Sequence, residues 1–393
     1  MRRALTLLAG LTASALITAA APVARADPAP RAAAPADWST AVIDSTMKRK
    51  PSASDLGGWG YQTGLFLWGT YLVYQRTHNT KYLSYVRAWV DRFVNSSGKL
   101  NHGLDNLDSM EAGNLLVALY NETHQAKYKT AATQIRNRLK TYPRTSDGGF
   151  FHATSKKGQL WGDGTFMIVP FLIHYGQSIG EATYTQNEAA KQIKVYGSHL
   201  QDPTTGLLYH AYDETGASSW ADPKTHHSSQ YWCRAIGWYG MATTETLKAL
   251  PASHPDRAAL LQIDQKLIQG MAQYQDPGTG RWFQVVNRGD LSANWTETSC
   301  SAMYSYTIDV AVQQGWVDPS YQAVADKGYQ GVLKKVSVGS DGLTNITDIC
   351  VGTNVGDLNY YLGRDRATND FHGLGAFLIA NEQFTHPTPG RVA

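Results

Sequence analysis

The sequence predicts an all-α protein in which six helical hairpins close into a ring, an α/α toroid. Two observations support this fold class. Apolar residues recur at helical spacing along most of the chain. In addition, residues 74–82 and 120–128 share the pattern Tyr, Thr-His and Lys-Tyr. Each copy joins the end of one amphipathic stretch to the start of the next, so the repeated unit is a helix, a short turn and an antiparallel helix.

The periodic stretches predict about twelve helices. We expect them at residues 38–48, 60–77, 82–95, 110–123, 127–141, 164–179, 182–200, 231–249, 256–274, 298–315, 319–335 and 369–384. Six hairpins can also stack into an open solenoid, which normally has more uniform repeats than this chain. The loops here vary widely in length, so we favour the closed ring.

Three of the connecting loops resemble one another. Residues 146–152, 202–210 and 276–284 each form a polar turn followed by a short apolar or aromatic run and a His or Gln. Similar loops at one end of a helical array are where a binding face usually lies. This end of the ring is therefore the predicted site.

The N-terminal residues have the pattern of a secretory signal peptide. Two arginines precede an apolar run and an Ala-x-Ala cleavage pattern, which predicts removal of residues 1–26. Residues 27–36 form a Pro/Ala-rich tether, and residues 37–393 are expected to form a single domain. No later run is long enough to cross a bilayer, so we expect a secreted protein without a membrane partner.

The composition narrows the classes of ligand. The chain has 393 residues and a formal charge of +3 without a basic stripe, which argues against a nucleic-acid partner. Its 11 Trp and 22 Tyr suit sugar rings as well as a core. The three cysteines allow at most one internal disulfide. No Cys-x-x-Cys or histidine cluster has metal-ligand spacing.

Asp163 is the most informative single residue. It lies between two glycines at the start of a strongly apolar predicted helix. One interpretation is a helix N-cap. The other is a catalytic acid whose pKa is raised by the neighbouring aromatic residues Trp161 and Phe166. The local sequence favours neither interpretation over the other.

Three more polar residues lie at junctions between loops and inner helices. Asp108 precedes a predicted inner helix, in a sequence that also suits a helix cap. His152 and His210 end two of the similar loops, where a structural histidine is the commoner case for each alone. Together with Asp163 they are candidates for one polar pocket.

Arg234 is the residue least suited to a core. It lies among Trp232, Ile236 and Trp238, and a buried guanidinium needs an anion or several acceptors. It could pair with an aspartate or bind a substrate carboxylate through two hydrogen bonds. Glu297 is expected to cap a helix and to form an ion pair at the rim. Acids, a cation and aromatic walls together predict a pocket for an acidic sugar.

At these residues the chain resembles glycoside hydrolase family 105, the unsaturated rhamnogalacturonyl hydrolases. The resemblance extends from about Trp59 to Phe384. The motifs that carry it lie at residues 59–64, 143–149, 161–167, 170–172, 232–239 and 297–303. It implies an (α/α)6 barrel acting on oligosaccharides whose non-reducing end is a 4,5-unsaturated uronic acid. It also implies hydration of the vinyl ether: protonation of C4, addition of water at C5 and opening of the hemiketal.

The resemblance implies neither a metal nor an organic cofactor, and it also assigns roles to residues. Asp163 matches the acid/base and Asp108 the second pocket carboxylate. Tyr61, His152, His210, Arg234 and Trp238 match positions that line the sugar subsite. Trp161, beside Asp163, belongs to the aromatic wall of this subsite. Residues 233–237 read Cys-Arg-Ala-Ile-Gly where many relatives have Gly-Arg-Gly-Asn-Gly, which leaves the released sugar open.

Two other functions remain open at this stage. One is a conventional inverting glycosidase that uses Asp108 and Asp163 as acid and base, with activity on saturated glycosides. The other is a non-catalytic protein that binds acidic sugars. The related family 88 is compatible with the fold but matches the motifs less well. The sequence does not decide the oligomeric state.

Overall fold

The computed structural model describes Met1 and residues 35–386. Its helices are α1 (Trp38–Arg49), α2 (Tyr61–Thr77), α3 (Thr80–Val90), α4 (Gly113–Thr123), α5 (Ala126–Lys140), α6 (Gly164–Ser178), α7 (Ala182–Leu200), α8 (Cys233–Ala249), α9 (Arg257–Gln273), α10 (Thr298–Gln313), α11 (Gln322–Leu333), α12 (Leu358–Leu362) and α13 (Phe371–Thr385). All twelve predicted helices are present. The short α12 was not predicted.

The helices form a closed ring. Six inner helices pack side by side in the order α2, α4, α6, α8, α10 and α13, and α13 packs against α2. The inner helices are buried on nearly every side, as in α6, where every residue from Gly164 to Gly176 is buried. Helices α3, α5, α7, α9 and α11, together with α1, form the outer layer. The predicted α/α toroid is confirmed.

The repeated Thr-His pattern marks the ends of two inner helices. His78 and His124 follow α2 and α4 in the left-handed conformation, each with φ of 53°. Their N–H groups donate to the carbonyls of Tyr74 and Tyr120. The pattern is therefore a helix C-cap that turns the chain into the next outer helix.

Short antiparallel strand pairs stiffen the loops at the opposite end of the ring. The strands are β1 (Gln159–Trp161), β2 (Ala211–Asp213), β3 (Trp282–Phe283), β4 (Thr296–Glu297), β5 (Val336–Val338), β6 (Thr344–Ile346), β7 (Ile349–Cys350) and β8 (Arg366–Ala367). They pair in sequence order as β1–β2, β3–β4, β5–β6 and β7–β8. The β1–β2 pair aligns Trp161 with Ala211, next to His210.

A disulfide joins two inner helices near the predicted site. Cys233, the first residue of α8, is bonded to Cys300 in the first turn of α10. Cys350 is a buried free thiol. This arrangement agrees with the limit of one internal pair.

Within the described residues, no helix is long and apolar enough to span a membrane. The predicted signal peptide and most of the tether lie outside the described residues. The proposed domain boundaries therefore stay a prediction.

Candidate active site

Four of the predicted residues converge where the inner helices begin. His152 lies between the two acids, with its Nε2 3.9 Å from Asp108 Oδ2 and its Nδ1 3.9 Å from Asp163 Oδ2. On the other side, His210 Nε2 is 3.4 Å from Asp163 Oδ1. The predicted loops thus bring two acids and two imidazoles into one pocket.

Trp161 forms the aromatic wall beside these groups. Its ring stacks on His152 with a centroid distance of 4.3 Å and an interplanar angle of 8°. Its edge faces His210, and its indole N–H donates to Gln159 Oε1. Lys156 lies over the ring at 4.4 Å, adding a cation at the pocket.

Neither of the two sequence-based interpretations of Asp163 describes its environment fully. The residue directly precedes α6, but its side chain forms no capping hydrogen bond. Burial raises the pKa of this carboxyl, but His210 and His152 lower it by more, so the net pKa lies below the ordinary value. The expectation of a raised pKa was wrong, because the two histidines outweigh the aromatic wall.

Asp108 has the raised pKa instead. It lies in a single 3-10 turn, Leu107–Ser109, which is capped by Asn106 and not by Asp108. Burial raises the pKa of Asp108 to about 6, His152 opposes this shift, and the nearby Asp163 carboxylate adds to it. In the unliganded site Asp108 therefore holds a proton more readily than Asp163.

Arg234 is 1% exposed and is held by backbone carbonyls. Its Nη1 donates to the Cys350 carbonyl (2.5 Å) and to Ser299 Oγ (3.3 Å), and its Nη2 donates to the Val351 carbonyl (2.7 Å). The nearest carboxylate is Glu297 Oε1 at 3.9 Å, so the alternative of an ion pair with an aspartate is wrong. Among the described residues, the Nε–H has no acceptor.

Glu297 caps α10 as predicted, since its side chain accepts from the backbone N–H of Cys300 at 2.6 Å. It is fully buried, so its predicted place at the rim is wrong. It also accepts from Ser299 Oγ and from the backbone N–H of Cys350. Its role here is to hold together the segments that position Arg234.

Tyr61 and Trp238 form another part of the pocket wall. Their rings meet edge to face at 6.3 Å, and Trp238 also packs against Phe166. Burial raises the pKa of Tyr61, so its phenol keeps its proton. The Tyr61 hydroxyl lies 2.8 Å from His372 Nε2.

Three residues of the site were missed by the sequence reasoning. His372 contacts Tyr61, and its Nδ1 is 2.6 Å from Asp370 Oδ1. Asp370 and His372 stand at the start of α13, a junction between a loop and an inner helix like those of the predicted residues. Their position at such a junction could have identified them from the sequence. Tyr361 lies on α12, 2.7 Å from His210 Nδ1. No sequence pattern marks it.

The donor atoms of Asp108, His152 and Asp163 lie within 4.8 Å of one another and are of types that bind metal ions. Without a metal ion, the His152 imidazole between the two carboxylates can itself compensate their negative charge as a donor. The expectation that no metal is used stays a prediction.

Comparisons with known proteins identify the family and the fold of this chain. The chain matches Glycosyl Hydrolase Family 88 over residues 38–385. It is 26% identical to the unsaturated rhamnogalacturonyl hydrolase YesR of Bacillus subtilis, over 78% of this chain and 86% of that protein. Its structure is similar to a family 105 glycoside hydrolase of C. acetobutylicum, with a TM-score of 0.84 and 32% identity over 88% of this chain and 99% of that one. An unsaturated glucuronyl hydrolase of Bacillus sp. GL1 has the same fold at 14% identity, with a TM-score of 0.66 over 88% of this chain and 95% of that one.

The fold and these matches define an (α/α)6 glycoside hydrolase. The chain belongs to glycosyl hydrolase family 88. Its similarity to family 105 structures confirms the predicted resemblance. It is therefore a hydrolase of the group that includes the unsaturated glycuronyl hydrolases.

Proposed function

We propose that this hydrolase removes a 4,5-unsaturated uronic acid from the non-reducing end of oligosaccharides produced by polysaccharide lyases. The observation that carries the proposal is the pocket itself. His152 lies between the carboxylates of Asp108 and Asp163. The Arg234 guanidinium, whose Nε–H has no acceptor among the described residues, lies at the start of the neighbouring inner helix α8. The kinship with an unsaturated rhamnogalacturonyl hydrolase supports the choice of substrate class.

Arg234 is the proposed partner of the uronate carboxylate. Both Nη1 hydrogens and one Nη2 hydrogen are directed at Cys350, Val351 and Ser299. Among the described residues the Nε–H has no acceptor, and in a planar guanidinium it shares one edge with an Nη2–H. That edge can donate two parallel hydrogen bonds to a carboxylate. The backbone carbonyls hold the guanidinium plane in position before the substrate arrives.

The proposed reaction is a hydration. An acid donates its proton to C4 while C5 gains oxocarbenium character, and water then adds to C5 and gives up a proton to the carboxylate. The product is a hemiketal at C5. Its bond from C5 to the ring oxygen breaks, which leaves a ketone at C5 and a hemiacetal at C1; the hemiacetal then releases the remaining sugar as an alcohol and becomes an aldehyde. One water is consumed and the acid is regenerated.

Asp108 and Asp163 carry one proton between them in this proposal. In the unliganded protein the proton resides on Asp108, whose pKa is about 6. A bound uronate brings a negative charge and displaces water, and both effects raise the pKa of Asp163. We therefore assign proton transfer to C4 to Asp163 and assign Asp108 the role of second carboxylate, which holds the proton before substrate binds.

The spacing of the two acids does not favour the inverting alternative. Inverting glycosidases separate their carboxyl groups by about 6.5–9.5 Å to admit a water. Here the nearest donor atoms of the two aspartates lie within 4.8 Å.

We also propose that the enzyme is secreted after removal of residues 1–26. The signal pattern at the N-terminus supports this. The Cys233–Cys300 disulfide supports it independently, because such bonds persist mainly in oxidising compartments. Mass spectrometry of the protein in culture medium tests it: we expect a mature N-terminus at Asp27, and retention of the full chain inside the cell would refute it.

The direct test of the activity is loss of the ultraviolet absorbance of the conjugated alkene. Lyase digests of pectin, arabinogalactan and glycosaminoglycans are supplied in turn, which also reveals the released sugar. We expect Asp163→Asn to lower the rate by about two to four orders of magnitude. Asp105→Asn is the matched control, because that side chain is 79% exposed in the loop before Asp108. Full activity of the Asp163→Asn enzyme would refute the mechanism.

A further inference from the structure

Tyr361 reaches the active site from a segment outside the inner ring. We name residues 351–365, which link β7 to β8 and contain α12, the strap. Hydrogen bonds within the strap stabilise it: the Arg364 Nη2 donates to the Gly352 carbonyl, and Asp357 caps α12 by accepting from the Tyr360 N–H. From outside the strap, Arg234 donates to its Val351 carbonyl. Its Tyr361 is fully buried.

A line of polar contacts runs from the strap through His210 to Asp163. The backbone N–H of Gly356 donates to the Tyr361 hydroxyl oxygen at 3.3 Å. That hydroxyl lies 2.7 Å from His210 Nδ1. The other ring nitrogen of His210 faces Asp163 Oδ1 at 3.4 Å, longer than an ordinary hydrogen bond, and neither of these two atoms has a closer partner among the described residues.

The two ends of His210 require the same tautomer. Within the described part of the chain, the only acceptor for the Tyr361 hydroxyl hydrogen is His210 Nδ1, so Nδ1 must present its lone pair. A neutral imidazole then carries its proton on Nε2. The reverse tautomer would turn the Nε2 lone pair toward the Asp163 carboxylate, which is repulsive.

We propose that Tyr361 is a positioning residue that holds His210 in the neutral tautomer with its proton on Nε2, directed at Asp163. This inference depends on the proposed function, because it takes Asp163 as the acid/base. A donor fixed in this way holds the carboxylate in one orientation and compensates its charge before the proton is transferred. It also leaves the orientation of Asp163 independent of the substrate.

His152 provides the contrast. Its Nδ1 has no hydrogen-bond partner among the described residues, and its contacts with both acids are 3.9 Å long. Nothing in its surroundings selects one tautomer. Of the two histidines beside Asp163, only His210 has a described partner, the Tyr361 hydroxyl, that selects its tautomer.

The environment of His210 also favours its neutral form. The titratable and charged groups that face it are Asp163 at the start of α6, His152, Arg234 on α8 and Tyr361 on α12. Burial lowers the pKa of His210, Asp163 opposes this effect, and His152 and Arg234 add to it.

The test is nitrogen NMR of the enzyme labelled with ¹⁵N-histidine, with His210→Gln used to assign the signals. We expect the wild-type His210 to carry its proton on Nε2 and Tyr361→Phe to populate both tautomers. A wild-type His210 protonated on Nδ1 would refute the proposal without any variant of the tyrosine.

Kinetics provide the second readout. Tyr361→Phe should lower kcat by about 10- to 100-fold, the usual effect of losing a group that orients a functional residue, with little change in KM. Tyr360→Phe is the matched control, because its hydroxyl, on the same helix, accepts from the Asn354 N–H away from His210. An unchanged kcat in Tyr361→Phe would contradict the proposal. If the wild type leaves the alkene absorbance of every digest unchanged, it is the proposed function that fails; if the wild type is active and Asp163→Asn is fully active too, the function stands and only the role of Asp163 fails.

Discussion

At the scale of single residues, Asp108 and Asp163 are the same side chain in two different settings. Burial raises the pKa of Asp108, and the opposing effects of His152 and Lys156 are too small to cancel this rise. Asp163 is desolvated too, but it has histidines on both sides. Carboxylates this close rarely ionise together at low cost, and the neighbours decide which one keeps the proton.

The pH dependence of the unliganded enzyme follows from this pair. A carboxyl with a raised pKa is protonated below that pKa and loses its proton above it. We therefore expect kcat/KM to fall as the pH rises through about 6, by about tenfold for each further unit, because the pair has then lost its only proton. A pH series on a lyase-generated substrate measures this. A kcat/KM that rises through the same range would show that the pair must be ionised to act.

The contribution of Arg234 to binding the uronate carboxylate can be measured by comparing the substrate as the free acid with its methyl ester. Arg234→Lys keeps the charge but removes the two parallel donors. We expect kcat/KM for the free acid to fall by about 10- to 100-fold, since hydrogen bonds to charged groups contribute about 1.5–3 kcal/mol. The ester should be affected much less.

Arg281→Lys is the control for loss of a buried guanidinium. Arg281 is 3% exposed and also donates to a backbone carbonyl, that of Thr296. It should lower stability without changing the ratio of acid to ester activity. An equal loss on both substrates in Arg234→Lys would mean that the arginine only supports the strap.

The sequence identified most of the site because its residues stand at the starts of inner helices, a position that can be read from helical periodicity. It did not reveal the pKa of Asp163, because His152 and His210 come from separate loops whose approach depends on the folded ring. Tyr361 was missed for a similar reason. It acts from a strap whose sequence has no regular period, and its partner is 151 positions away.

At the scale of elements, the helices were predictable and most of their ends were predicted to within about two residues, with α7 predicted at both ends. The helix expected from residue 110 begins at Gly113, because residues 107–109 form a separate 3-10 turn. The paired strands were expected as loops. Two or three residues are too few for a period of two to be visible.

The disulfide ties the starts of α8 and α10 beside Arg234 and Glu297. We expect Cys233→Ala/Cys300→Ala to lower the free energy of unfolding by about 2–5 kcal/mol, as is usual when a native disulfide is removed. Denaturant unfolding with and without a reductant measures this. The wild type should lose the same amount on reduction, and the double variant should not respond. An equal response of both proteins would place the redox sensitivity elsewhere, for example at Cys350.

At the scale of the whole molecule, the contact between helices α2 and α13 closes the ring. Helices α2 and α13 approach closely where both carry glycine. A Cβ added at Gly69 would lie 2.7 Å from Leu378 Cβ, and one at Gly375 would lie 2.8 Å from the backbone carbon of Leu65. The closure that decides between toroid and solenoid thus depends on two positions without side chains. This could not be inferred from one hairpin at a time, because it joins the first inner helix to the last.

Gly375→Ala tests the closure. Alanine normally stabilises a helix relative to glycine, but here the added methyl must displace backbone. We expect a net loss of about 1–3 kcal/mol in the free energy of unfolding. Gly58→Ala is the control, since its Cβ would meet nothing within 4 Å. A stabilised Gly375→Ala protein would show that α2 and α13 do not pack this closely.

All six inner helices start at one end of the ring because each hairpin returns the chain to that end. The acids, imidazoles and guanidinium are therefore collected from loops and helix starts that are far apart in sequence. The reaction proposed for this pocket is the hydration of an alkene.

The reaction in D₂O tests that claim most directly, with the alkene absorbance and the release of the second sugar followed together. Hydration predicts that both change at the same rate from the first turnover, and that NMR finds one deuterium at C4 of each uronic acid product. Release of the second sugar while the alkene absorbance persists would contradict the account, because the glycosidic bond would then have broken without protonation of C4.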